Sequence, residues 1–199
     1  MQSARFLWNK GFTLVELLIV IALLAILATA VLAAINPLEQ ANRARDTRMR
    51  SDASQLLGAL DRYFVSQEEF TWVTSGDVAA NDAAYGFISA KDDGVGLCST
   101  ASGCNADGSL ITSLELKTEF RNRDFIKAAD SAWADLLYLG KAAGGSSSIY
   151  ACWVPRSTSE RAKATQTLTV GSPTLGTAAD CATRTYGSFG NSCVVCLPQ

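Results

Sequence analysis

The feature that most constrains this chain is a continuous apolar stretch from Phe12 to Ile35. Of its 24 residues, 21 are hydrophobic and only Glu16 is charged. As a helix, the stretch would rise about 36 Å, which is enough to cross a hydrocarbon core of about 30 Å. Outside it, about 43 % of the residues are hydrophobic, which is typical of a soluble globular chain. The sequence therefore predicts one membrane-inserting arm joined to one water-soluble domain, and excludes a polytopic membrane protein.

The charge balance and the lack of histidine narrow the function classes. The chain has 17 basic and 19 acidic residues, giving a net charge of −2, so it has no overall positive field to hold nucleic acid. It contains no histidine, which removes the commonest general base and a common metal ligand. It also lacks a G-x-S-x-G nucleophile motif. We therefore expect a protein that is not an enzyme and has no cofactor and no metal site.

The residues before the arm form a short basic segment. They include Arg5 and Lys10 and no acidic residue, which places them on the cytoplasmic side. A secretory signal has an apolar region of about 7–15 residues, shorter than this one, although Ala28-Thr29-Ala30 is similar to a cleavage site. The length of the arm favours a spanning helix.

Glu16 is the most informative residue of the arm. An ionisable side chain within a membrane helix is costly, and by default it is a functional candidate with a partner to be found. No Lys, Arg or His occurs in residues 11–35. We therefore expect its partner to be a backbone amine or another molecule.

The run Gly11-Phe12-Thr13-Leu14-Val15-Glu16 closely resembles the type III signal of type IV prepilins and pseudopilins. The resemblance implies that a membrane-embedded prepilin peptidase and methyltransferase cleaves between Gly11 and Phe12 and N-methylates Phe12. It also implies that Glu16 meets the charged amino terminus of a neighbouring subunit during assembly. A carboxylate and an ammonium that are buried together offset part of each other's desolvation cost.

The resemblance implies partners as well: other pilin subunits in a homo- or heteropolymer, an assembly platform protein with its ATPase, and the membrane. The sequence departs from many major pilins in one respect, because it has no Gly or Pro between Phe12 and Asn36. Pro37 is the first helix breaker. Three alternatives stay open beside a pilus subunit: a type II secretion pseudopilin, a tethered binding or enzymatic domain with a prepilin-type anchor, and an uncleaved signal anchor.

A second helix is predicted after the arm. Asn36-Pro37-Leu38-Glu39 has the pattern of an N-cap, a first-turn proline and a capping-box acid, so a helix restarts or kinks at Pro37. Apolar residues then recur at spacings of three and four up to Phe64, which predicts one buried face. These residues are Met49, Ala53, Leu56, Leu57, Leu60, Tyr63 and Phe64.

Four arginines form a basic run near the start of this helix, among three acidic residues. The arginines are at positions 43, 45, 48 and 50, and the acids at 39, 46 and 52. Three interpretations compete: ion pairs within the chain, contacts to neighbouring subunits or lipid headgroups, and DNA binding. Residues 36–52 carry a net charge of only +1 (four Arg against three acids), which makes nucleic acid the weakest of the three.

The remainder predicts a small sheet with long loops. Residues 66–109 are predicted to be loop. Within this loop, Asp92-Asp93-Gly94 and residues 105–108 are interpreted as turns and not as calcium sites, because neither segment has the residue spacing of an EF-hand. Residues 113–134 predict one or two short helices. Residues 135–140 and 148–155 predict a hairpin whose second strand is central and covered by the long helix. We expect Tyr150 and Trp153 to pack in the core and not to stack on a ligand. Further strands are predicted at residues 165–170 and 192–198.

The six cysteines predict disulfides if the arm exports the remainder of the chain. They are Cys98, Cys104, Cys152, Cys181, Cys193 and Cys196. The Cys193-x-x-Cys196 spacing also allows a redox pair or half a zinc site, but its apolar, extended setting is wrong for a redox motif. Fifteen pairings exist, of which the local loop between Cys98 and Cys104 is the most plausible single bond. Pilins often close a carboxy-terminal loop, so the resemblance implies Cys181 with Cys193, which leaves Cys152 with Cys196.

We therefore expect an α+β fold in which a long N-terminal α-helix packs on a small antiparallel β-sheet with disulfide-stapled loops. The helix is hydrophobic in its first half and amphipathic in its second. The expected divisions are a cleaved leader (1–11), a transmembrane and filament-core helix (12–36), an amphipathic helix (37–65) and a soluble head (66–199). The expected function is mechanical: head-to-tail stacking of subunits into a pilus-like filament.

Overall fold

The structure is a computed structural model that describes residues 11–34, 36–73, 78–100, 104–184 and 192–198. Of the leader expected over residues 1–11, only Gly11 falls within these ranges. The chain divides into two compact units, Met1–Leu38 and Glu39–Gln199.

The apolar stretch forms one helix, α1 (Leu14–Ala34). Its large hydrophobic side chains are exposed, and Leu14–Leu32 is long and apolar enough, by length and composition, to cross a membrane. The hydroxyl of Thr29 donates a hydrogen bond to the carbonyl of Ile26 at 2.8 Å. This polar side chain therefore has a hydrogen-bond partner within the helix, which lowers the cost of placing it in an apolar environment.

The second helix, α2, runs from Pro37 to Gln67. Pro37 is its first residue, where the missing N–H costs no helical hydrogen bond and the fixed φ suits the helix. The predicted amphipathic pattern is confirmed, because one face of the helix is buried in the second unit. The buried residues of α2 are Asp46, Met49, Asp52, Ala53, Leu56, Ala59 and Leu60.

The main sheet has four antiparallel strands, which are β1 (Tyr85–Ser89), β2 (Leu137–Lys141), β3 (Ile149–Trp153) and β6 (Val195–Leu197). They lie side by side in the order β1-β2-β3-β6. A second, two-stranded sheet consists of β4 (Gln166–Leu168) and β5 (Leu175–Thr177). Strands β2 and β3 form the predicted hairpin, and β3 is central, as its doubly apolar pattern indicated.

Both faces of the main sheet are covered. On one face Leu139 and Trp153 share a core cluster with residues of α2 such as Leu56. On the other, Tyr138 and Cys152 belong to a second cluster. Since successive side chains of a strand point to opposite faces, this double burial explains why neighbouring residues of β3 are all apolar.

The prediction that residues 66–109 are loop is wrong in one segment, because Tyr85–Ser89 forms the edge strand β1. Its pairing with β2 is irregular between Tyr85 and Ile88, and its outer edge exchanges hydrogen bonds with Gly171 and Ser172. The strand is therefore fixed by partners far away in sequence. Short 3-10 turns at Val78–Asp82 and Asp93–Val95 lie in the same segment.

Four stacked aromatic rings connect the end of α2 to β1. The ring centroids of Phe64 and Phe70 are 4.5 Å apart, those of Phe70 and Trp72 are 4.7 Å apart, and those of Trp72 and Tyr85 are 4.3 Å apart. This stack of rings packs the segment that follows α2 against the sheet.

Short helices and three disulfides complete the second unit. The helices are α3 (Ser109–Thr112), α4 (Asp124–Lys127) and α5 (Thr158–Arg161). The disulfides join Cys98 to Cys104, Cys152 to Cys196, and Cys181 to Cys193. These are the three pairs named from the sequence. The bond from Cys152 to Cys196 links residues directly opposite each other on β3 and β6.

Candidate functional site

The candidate site lies at the start of α1, where Thr13 and Glu16 cap the helix. The backbone N–H and the hydroxyl of Thr13 donate to Oε2 of Glu16, at 3.0 and 2.8 Å. In return, the backbone N–H of Glu16 donates to the Thr13 hydroxyl at 3.2 Å. This reciprocal arrangement is a capping box, which satisfies N–H groups that the first helical turn leaves without partners.

Sequence reasoning missed the role of Thr13. The signal was present, since Thr followed three residues later by Glu before an apolar run is the capping-box pattern. Glu16 therefore has a partner within its own chain, in addition to any on another molecule. Its negative charge in the first turn also suits the positive end of the helix dipole.

Gly11 and Phe12 precede α1 and are accessible. The side chain of Phe12 is 80 % exposed. A Cβ at Gly11 would meet no heavy atom within 4 Å, so contacts of the described chain do not explain why this position is glycine.

The carboxylate of Glu16 keeps one oxygen available. Both Thr13 donors use Oε2, and within the described ranges no hydrogen bond to Oε1 is formed. A carboxylate has about four acceptor positions. The side chain can therefore cap its own helix and accept a further donor at the same time.

The four arginines of the basic run on α2 (positions 43, 45, 48 and 50) all form ion pairs within the second unit. The N···O distances are 3.0 Å for Arg43–Glu39, 3.1 Å for Arg45–Asp46, 3.4 Å for Arg48–Asp124 and 2.7 Å for Arg50–Glu160. This arrangement favours the intramolecular interpretation of the basic run over the intermolecular and DNA-binding ones.

Two acids of α2 fix the segment that leads into α5. Asp46 is only 2 % exposed, and its carboxylate accepts the backbone N–H groups of Arg156 and Ser157, at 3.1 and 2.8 Å. The hydroxyl and backbone N–H of Thr158 donate to Glu39, and these bonds lower the pKa of the Glu39 carboxyl. Asp46 and Glu39, which lie among the arginines of the basic run, therefore stabilise the segment that leads into α5.

The other sequence candidates lie in structural settings. Cys193 and Cys196 belong to two different disulfides, so they do not form a C-x-x-C redox pair. Asp92 accepts a hydrogen bond from the backbone N–H of Gly94 and caps a short turn, as turn chemistry predicted. Trp153 is fully buried and packs below the guanidinium of Arg50, which lies 5.5 Å from its ring centroid.

Comparison with known proteins points to the start of the chain. Residues 9–32 match a family model described as the prokaryotic N-terminal methylation motif. The matched range contains Gly11, Phe12, the Thr13–Glu16 capping box and most of α1. No curated protein and no solved structure matches the chain.

Proposed function

We propose that this chain, which carries the type IV pilin and pseudopilin signal at residues 9–32, is a structural subunit of a type IV pilus-like filament. Proteins with this motif are structural, and the motif together with the apolar α1 indicates membrane anchoring before assembly. In the proposed pathway the chain enters the inner membrane as a prepilin, is cut after Gly11, is N-methylated at Phe12 and polymerises through α1.

One observation carries the proposal: the motif match coincides with a helix start that suits processing and pairing. The Gly11–Phe12 junction lies just before α1, and the Phe12 side chain is exposed. Cleavage at this junction would create a new ammonium at Phe12. Glu16 Oε1 of a neighbouring subunit is an acceptor suited to that ammonium, since a buried carboxylate is stabilised by a hydrogen-bonded cation.

Pairing between different subunits also explains why the product would be a filament. Each subunit has one amino terminus and one Glu16, so contact with one neighbour leaves the other group free for the next. Such a head-to-tail interface does not close and forms a helical fibre. The exposed apolar side chains of α1 would move from lipid to a core of packed helices.

The second unit is proposed to coat the filament outside the cytoplasm. Its three disulfides are typical of oxidising compartments. Other pilin subunits and a prepilin peptidase are the partners that the motif implies. We expect an assembly platform protein and an ATPase as further partners.

Shearing of cells that express the chain with its assembly machinery tests this function. We expect the chain in the sheared filament fraction, with its start at Phe12. The matched variant Glu16→Val should remain in the membrane, although it is cleaved normally. Retention of the wild-type chain in the envelope would contradict the pilus proposal. If deletion of the chain also caused a secretion defect, the result would point to a pseudopilin. A tethered domain would keep its activity in Glu16→Val.

A further inference from the structure

A depression beside the disulfide between Cys98 and Cys104 is lined by cations and amides. Its volume is about 300 Å³, within the range of small-ligand sites. Its apolar lining is small and comes from the buried residues Cys104 and Ile126. Its polar lining consists of Asn105, Thr118, Arg121, Asn122 and Lys127. None of the described residues that line it is acidic, so the depression is a candidate site for an anion.

Arg121 has donors to spare at this site. Its Nη1 donates to the carbonyl of Cys104 at 3.0 Å. Its Nε lies 2.7 Å from Oδ1 of Asp107, but both of these buried atoms lack a hydrogen bond within the described part of the chain. A guanidinium carries five N–H donors in a planar fork that suits carboxylates and phosphates. A ligand oxyanion would therefore use donors that the fold leaves without an acceptor.

Two local constraints fix the walls of the depression. Residues Thr118–Asn122 form a 3-10 turn, in which side chains three residues apart lie on the same side. Thr118 and Arg121 therefore lie together. On the other wall, Cys104 has φ +46° and is bonded to Cys98. Walls that are fixed before binding reduce the entropy that a ligand must overcome.

The acids next to these walls leave one positive charge unmatched. Asp107 offsets one of the two cations, since it pairs with Arg121. Asp124, at the start of α4, pairs with Arg48. Lys127 is exposed and belongs to no ion pair within the described residues. Two cations and one acid thus give the depression a net charge of +1.

Glu119 does not cancel this charge. It is not three residues from Thr118 or Arg121, so it lies on another side of the 3-10 turn. It lines a neighbouring cavity together with Lys117, and both side chains are exposed. These two opposite charges offset each other at the same cavity, and their combined effect on the depression is small.

We propose that the depression binds an acidic saccharide. Its carboxylate or phosphate group pairs with Arg121 and Lys127. Its hydroxyls contact the other polar side chains, which are Asn105, Thr118 and Asn122. Amides and hydroxyls provide the donors and acceptors that sugar hydroxyls need, and within the described ranges these three side chains form no hydrogen bond. The small apolar lining disfavours an acyl chain. The inference goes beyond the proposed filament and does not depend on it.

Calorimetric titration of the purified full chain in detergent tests the ligand class. The probes are glucuronate, glucose 6-phosphate, glucose and inorganic phosphate. We expect at least one acidic sugar to bind about tenfold more tightly than glucose and inorganic phosphate, and to bind more weakly as salt is added. The sugar that binds identifies the oxyanion. No binding of either acidic sugar, or equal binding of glucose, would overturn the proposal. Equal binding of inorganic phosphate would overturn the saccharide assignment.

Lys127→Gln and Lys117→Gln are a matched pair that tests the location. Both lysines are exposed, and neither belongs to an ion pair within the described residues, but only Lys127 lines the depression. We expect Lys127→Gln to weaken binding of the acidic sugar about tenfold, and Lys117→Gln less than about twofold. Similar effects of the two substitutions would reject this location.

Thr118→Val tests the hydroxyl contacts separately from charge. Thr118 is exposed and its hydroxyl has no hydrogen bond within the described residues, so the variant should melt at the wild-type temperature. Its affinity for the acidic sugar should fall about threefold, whereas its response to inorganic phosphate should stay that of the wild type. Wild-type affinity of Thr118→Val for the acidic sugar would contradict the contact.

Discussion

The backbone N–H and the hydroxyl of Thr13 both donate hydrogen bonds to the same oxygen of Glu16, at 3.0 and 2.8 Å. The carboxylate that the filament proposal assigns to pairing between subunits is therefore already oriented by its own chain. Orientation before assembly reduces the conformational entropy that pairing must overcome. The charge and the capping bond are two separable properties of this one side chain.

The substitution Glu16→Gln separates the charge of this side chain from its capping hydrogen bonds. The amide keeps an oxygen that can accept the hydrogen bonds from Thr13, but it has no charge to stabilise the ammonium of Phe12. We expect normal cleavage after Gly11 and a loss of filament protein of about tenfold or more, since an unpaired buried charge is costly. Immunoblots of membrane and sheared fractions measure both steps. Thr13→Ala, which keeps the charge, is the control and should retain most assembly. Wild-type assembly of Glu16→Gln would contradict charge pairing.

Asp46→Asn should destabilise the second unit by about 3 kcal/mol. The amide would place N–H donors against the backbone N–H groups of Arg156 and Ser157, which now donate to the carboxylate, and would leave Arg45 short of a partner. Urea unfolding of the unassembled protein in detergent measures the loss. Asp61→Asn, at an exposed site on the same helix, should change stability by no more than about 0.5 kcal/mol. Similar effects of the two substitutions would refute this account of Asp46.

The disulfides should differ in their contributions to stability. Cys152 and Cys196 are 44 residues apart, and Cys98 and Cys104 only 6. The loop-entropy relation then gives the longer closure about 1.7 kcal/mol more stabilisation. Both pairs are buried, so replacing each pair by two alanines removes similar packing. The free energies of unfolding of the two double variants measure the difference, and an equal or reversed order would contradict the entropic explanation.

Asp52→Asn should stabilise the protein at neutral pH. Burial raises the pKa of the Asp52 carboxyl, although Arg123, 3.5 Å away, and Arg48 favour its charged form, and Asp124 opposes it. The folded state therefore binds the proton more tightly than the unfolded state, and this group's contribution to stability is lost as pH rises above about 3.9. Between pH 3 and 7, the melting temperature of the variant should exceed that of the wild type by a margin that grows as the pH rises. A lower melting temperature of the variant at pH 7 would contradict this.

Local sequence patterns predicted the elements whose cause is local. The apolar run defined α1, Pro37 the start of α2, and the doubly apolar run at 148–155 the central strand β3. Strand β1 could not be predicted in this way. It is a five-residue edge strand that contains Gly86, and it is stabilised by β2 and by Gly171 and Ser172, which lie far away in sequence.

Buried charges were equally inaccessible to the sequence patterns. Lys141 is only 2 % exposed, and its ammonium donates to the carbonyls of Ala142 and Gly144. Lysine is almost never fully buried without partners, and only the geometry of the hairpin turn supplies them. The positive φ of Leu114, +66°, could not be predicted either, since nothing in the neighbouring sequence requires a leucine in the left-handed region.

The mass of the mature amino-terminal peptide tests the central claim most directly. The chain should be isolated from expressing cells, digested and measured by tandem mass spectrometry. The account predicts a mature chain that begins at Phe12 and carries one methyl group on its amino nitrogen. A chain that still begins at Met1, or one that begins after Ala30, would contradict it.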